Sequence, residues 1–133
     1  MEAIYKNDEF LTVYLLKDKK YIMFKWKKFG IPLEELQKAH TSALDAAGAN
    51  AISGYMAETS QATGTLLPAA VEWWEQTWVP KLQSSVIKKI ATVVPQSVLA
   101  SFSTKDWQAV NFSNITLQNA KTVAEAEAFL GSS

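Results

Sequence analysis

The chain has no cysteine and no arginine. Without thiols there is no disulfide framework, no thiolate nucleophile and no thiolate metal site. All thirteen basic residues are lysine, so the planar guanidinium that contacts phosphates and guanine edges in bidentate fashion is missing too. One histidine, His40, is too few for the clustered ligands of a transition-metal site. The five glycines stand apart at 30, 48, 54, 64 and 131, which leaves no glycine-rich phosphate loop and no Gly-x-Ser-x-Gly elbow. No apolar run approaches the ~18 residues of a membrane span. Thirteen acidic residues balance the lysines, so no net field draws the chain to nucleic acid or an anionic bilayer. We therefore expect no cofactor, no metal, no nucleic-acid partner, no stable membrane insertion and no enzymatic activity. The first nine residues lack the basic-then-apolar pattern of a signal peptide, so a cytoplasmic location is expected.

What is abundant is apolar and aromatic. Hydrophobic residues make up 48% of 133 positions, a composition that supports one globular domain spanning residues 1–133. Its centre of weight is the stretch from Leu66 to Pro80, with three tryptophans in six positions. Leu67, Val71, Trp74 and Trp78 follow at helical steps and predict one buried face, with Pro68 in the first turn and Pro80 at the end. Trp73 lies about 100° from that face, next to Ala70, and the pair is the candidate binding surface. Glu72 and Glu75 fall on the opposite, solvated side.

Elsewhere the order of elements can be read from periodicity. Residues 3–6, Phe10 to Leu16 and Tyr21 to Lys27 read as strands, the last two joined by the polar turn Lys17-Asp18-Lys19-Lys20. Six lysines between Lys17 and Lys28 read as a solvated hairpin tip and edge protection. Pro32 opens a helix with Glu34 and Glu35 in its first turn and Gly48 as its stop. The apolar stripe of that helix is Leu33, Leu36, His40, Ala43, Leu44 and Ala47. His40 on this stripe reads as a satisfied, partly buried residue.

Ala51 to Ala57 reads as a buried strand, with Gly54 where something packs close. The loop from Glu58 to Thr65 is rich in hydroxyls. Thr59, Ser60, Thr63 and Thr65 are candidate phosphorylation positions, with Thr63 or Thr65 alternatively capping the next helix. Val86 to Val94 reads as a strand, Val98 to Phe102 and the surroundings of Trp107 as short helices, and Ile115 to Gln118 as a last strand. Thr122-Val123-Ala124-Glu125 is a capping box that opens a final helix to Leu130, stopped by Gly131. The expected fold is α/β: a mixed sheet starting with antiparallel strands, then strand–helix alternation, with helices packed on the sheet.

The chain end, Ile115-Thr116-Leu117-Gln118-Asn119-Ala120-Lys121-Thr122-Val123-Ala124-Glu125-Ala126-Glu127-Ala128-Phe129-Leu130, resembles the strand-into-helix pattern of SpoIIAA-like proteins, relatives of STAS domains, with Ala120 in place of an aromatic. Trp26, Trp78-Val79-Pro80 and Ile90-Ala91-Thr92-Val93-Val94 are similar to further landmarks of that group. The resemblance implies a sheet with helices on it and a non-enzymatic regulatory or protein-interaction role. STAS regulators carry a phosphorylated serine in an Asp-Ser motif before the second helix. The matching loop here, Glu58 to Thr65, has no such pair, so the location transfers and no residue does. The alternative is a carrier or sensor of a small apolar ligand between the sheet and the tryptophan helix. Five tryptophans and six phenylalanines without net charge also predict a homodimer.

Overall fold

The computed structural model describes residues 1–97, 100–101 and 112–132. Among these residues six strands form one sheet: β1 (Glu2–Asn7), β2 (Leu11–Leu16), β3 (Tyr21–Trp26), β4 (Gly54–Glu58), β5 (Lys89–Val93) and β6 (Thr116–Ala120). Their order across the sheet is their order along the chain. β1, β2 and β3 pair antiparallel through short turns, and β3 to β6 pair parallel. Parallel neighbours require a crossover between strand ends, and helix α1 (Leu33–Ala49) supplies the first one. This is the mixed sheet with helices on it that the residue pattern predicts.

The alternation of β2 and β3 sorts their side chains. Leu11, Val13, Leu15, Ile22, Phe24 and Trp26 enter the main core, while Tyr14, Leu16, Tyr21 and Met23 face the other side. β4 is buried along its whole length, as expected for a parallel strand covered on both faces. Gly54 is where a close approach was expected. A Cβ there would stand 2.9 Å from the Tyr21 Cβ and 3.0 Å from the Lys20 carbonyl.

Several boundaries differ from the expected ones. α1 does not stop at Gly48 but continues to Ala49, and Asn50 closes it by donating both its backbone N–H and its side-chain amide to the Ala46 carbonyl. The left-handed position falls on Ala51 (φ 52°), which also delays β4 to Gly54. The strand expected from Val86 begins at Lys89. The Lys17–Lys20 tip is solvent-exposed, but β3 lies inside the sheet, so its lysines protect no edge. The helices expected around Val98 to Phe102 and around Trp107 lie outside the described residues, apart from Ala100 and Ser101.

The tryptophan segment is one helical run in three parts: α2 (Pro68–Trp73), a π-helical turn (Trp74–Trp78) and α3 (Val79–Gln83). Pro80 therefore does not end the helix. It has no N–H to give and its ring crowds the carbonyl four residues back, and a widened turn just before it relieves both faults. The turn is closed by the Val79 N–H reaching the Trp74 carbonyl, five residues back. The final helix α4 (Val123–Leu130) is capped by the predicted Thr122, whose side chain accepts from the Glu125 N–H, while the Glu125 carboxylate accepts from the Lys121 N–H, one residue before the box position. α1 lies over β1 to β3 on one face, and α4 over β4 to β6 on the other.

Candidate functional site

His40 is at the centre of an aromatic cluster between α1 and the tryptophan helix. It is fully buried, not partly, and ring centroids of Phe24, Trp73, Trp74 and Trp78 lie 4.2–6.0 Å from its own. Its Nδ1 lies 2.8 Å from the Leu36 carbonyl and its Nε2 3.2 Å from Trp74 Nε1. A carbonyl can only accept and an indole N–H can only donate, so the imidazole is held neutral with its proton on Nδ1. Burial pushes its pKa down to about 3, only partly offset by the Leu36 hydrogen bond. Such a ring organises its neighbours and has no free lone pair for a substrate.

The π-turn decides where the tryptophans point. In a regular α-helix, residues five apart are turned about 140° from each other. Across this widened turn Trp73 and Trp78 instead stack, with centroids 5.9 Å apart and planes within 19°. Trp74 and Trp78 are buried as the helical pattern predicts, but Leu66 is in the core and Leu67 is exposed. Trp73, expected to stand away from the stripe, lies against it and stays only partly covered. Ala70, its expected neighbour at the binding surface, is fully buried in the core.

Trp73 instead borders an outer groove of about 220 Å³ between the two helices, formed by Thr41, Leu44 and Asp45 of α1 and by Trp73, Trp78 and Lys81. Of these α1 residues the sequence pattern marks only Leu44, as part of the apolar stripe. Their i, i+3, i+4 spacing on one flank of α1 is the signal that was there to find.

The hydroxyl loop runs off the C-terminal end of β4. Its four candidates separate into two pairs. Thr59 is buried and donates to the Val93 carbonyl at 2.5 Å, and Ser60 donates through Oγ (2.5 Å) and N–H (3.0 Å) to Oε1 of Glu58. Thr63 and Thr65 are exposed. The Thr63 backbone is fixed by a bridge to Lys28, so the loop is pinned to the strand edge. Neither Thr63 nor Thr65 caps α2. Leu67 occupies the cap position, and no side chain bonds there. Pro68 in the first turn leaves one fewer donor in need of a cap. Glu58 is a residue that sequence reasoning passed over, a carboxylate buried at a strand end.

The opposite face of the sheet has polar fastenings. Tyr21 donates to Oε2 of Glu127 at 2.5 Å, and Lys19 donates to the same oxygen at 2.8 Å. Lys19 and then Tyr21 hold the Glu127 carboxyl below its ordinary range, while burial and this bond push the Tyr21 phenol up. At the C-terminal end of α4, Lys89 Nζ donates to the Phe129 carbonyl at 3.0 Å and to Ser132 Oγ at 2.7 Å, a cation placed at a helix C-terminus. The β1–β3 half of this face carries no helix among the described residues. A depression of about 290 Å³ lies there, bordered by Met1, Leu16, Lys19, Met23, Lys25 and Glu127 among others.

Among the described residues no three His, Asp or Glu side chains come together, and no helix is long and apolar enough to cross a membrane. No family model, curated protein or solved structure matches this chain.

Proposed function

We propose that this domain is a regulatory protein-interaction module of the SpoIIAA/STAS-like type, working by contact and not by catalysis in the cytoplasm, and that its first partner is a second copy of itself. The half-covered sheet face carries this reading. Leu16 and Tyr14 lie there only partly buried, with no helix over them among the described residues, beside Met1 at 80% exposure and Val123 at 39%. The rim holds Lys19 and Lys25 together with Glu127, so both signs of charge occur within one patch. A two-fold pairing needs this, because each copy must present to the other what it receives from it. The exposed Thr63 and Thr65 are the positions in the hydroxyl loop where a phosphate would meet least resistance. On Ser60 it would displace the bond to Glu58 and face that carboxylate.

A second reading, a sensor of a small ligand, is favoured by the partly covered Trp73 on its stacked partner beside the outer groove. A native mass spectrum of the purified protein tests both. A dimer mass supports the first reading, an added small-molecule mass supports the second, and bare monomer alone contradicts both.

A further inference from the structure

Trp78 presents an anomaly in the aromatic cluster. Its side chain is buried, at 1% exposure, and among the described residues its indole Nε1–H has no hydrogen-bond partner. Its neighbours Trp74 and His40 are matched, since Trp74 Nε1 donates to His40 and His40 donates to Leu36. A buried donor without an acceptor is costly and rare in folded proteins. Trp78 also forms part of the groove between α1 and the tryptophan helix. That groove, at about 220 Å³, is below the range that holds drug-sized molecules, and suits a single small ring. The π-turn aligns Trp73 and Trp78 as a flat stack, and such turns recur at functional sites. Asp45 and Lys81 border the groove, neither of them in an ion pair among the described residues. Opposite charges at one mouth disfavour a guest of strong net charge.

We infer that this groove binds a small planar ring carrying a hydrogen-bond acceptor, with Trp78 Nε1–H as the donor and the movable Trp73 ring as the face on which the guest stacks. The inference rests on the second reading above and adds the chemistry of the ligand. Trp73, partly exposed, is the ring that yields to let the acceptor reach a donor now covered. Exposed aromatic rings reorient fast enough for that not to limit binding.

The test is a titration followed by the indole N–H resonances of the five tryptophans. Benzamide supplies ring and acceptor, toluene the ring alone and acetamide the acceptor alone. The expected result is a saturable downfield shift of the Trp78 Nε1–H with benzamide at millimolar concentration. Toluene and acetamide should bind at least tenfold more weakly, as should benzamide to Trp78→Phe, which keeps a ring and removes the donor. Toluene binding as tightly as benzamide without moving that resonance would overturn the acceptor and leave the sensor reading standing. No saturable shift with any of the three probes would overturn both. The wild-type resonances decide the matter even if Trp78→Phe fails to fold.

Discussion

On one face of the sheet, α1 and the tryptophan helix close Phe24, Trp73, Trp74 and Trp78 around a neutral His40, with Tyr55 stacked behind Phe24. On the other, a single eight-residue helix among the described residues covers three strands and is fastened by Tyr21 and Lys19 on Glu127 in its middle and by Lys89 on the Phe129 carbonyl at its C-terminal end. The first face is held by shape and area, and the second by tethers around a smaller apolar cluster. On the proposed reading the two faces have different tasks. Rings that fill a core cannot also be given to a partner, whereas a short tethered helix leaves half its face of the sheet open.

The comparison is broken most severely from the aromatic side. Trp78→Ala or Trp74→Ala should each cost about 3–5 kcal/mol, because a large buried ring is removed and the cavity closes only in part. Trp73→Ala should cost about 1 kcal/mol, since its ring is only partly withdrawn from water. Thermal melts of the three variants check this ranking. A Trp73→Ala melt as low as that of Trp74→Ala would mean that all three rings are core.

Acid distinguishes the faces next. His40 has a folded pKa of about 3 against an ordinary 6.5, so the unfolded chain takes up its proton first. Its stabilising contribution is complete above pH 6.5 and is lost as pH falls towards 3. The slope is roughly 1.4 kcal/mol per pH unit. Glu127, on the tethered face, has a folded pKa below the ordinary 4.5, so its contribution is lost only below that pH. Denaturant midpoints measured down from neutrality should therefore fall well before the carboxylates titrate. A flat profile between pH 6.5 and 4.5 would contradict a sealed neutral imidazole.

The gentlest break is on the tethered face. Tyr21→Phe removes one hydrogen bond to Glu127 at a partly solvated site and should cost about 1 kcal/mol or less. It should also let the Glu127 pKa rise, which carboxyl NMR titration reads directly.

How far the sequence reached follows from the range of each signal. Period-two alternation in β2 and β3, the Thr122–Glu125 cap and the close approach at Gly54 are local, and they were legible. The course of the tryptophan helix was not. Pro80 reads as a terminator because a helical wheel assumes one unchanging pitch, whereas the chain widens a turn and continues. That change moved Trp73 onto Trp78 and left the expected guest space at Ala70 filled. Gly48 misled for a related reason, because the stop is made two residues later by the Asn50 amide. Glu58 is buried by elements that meet only in space, which no local pattern reports; the spacing of Thr41, Leu44 and Asp45 marks a flank of α1 but not the groove that the tryptophan helix makes of it.

The division of labour between the faces is tested most directly by sedimentation velocity at tens of micromolar on the wild type and Leu16→Glu. Leu16 is on the uncovered half of the tethered face, away from the aromatic core, so a charge there should spare the fold and block the pairing. The account predicts a wild-type dimer and a folded Leu16→Glu monomer. A wild type that sediments only as monomer, or a variant that dimerises as well as wild type, would contradict it.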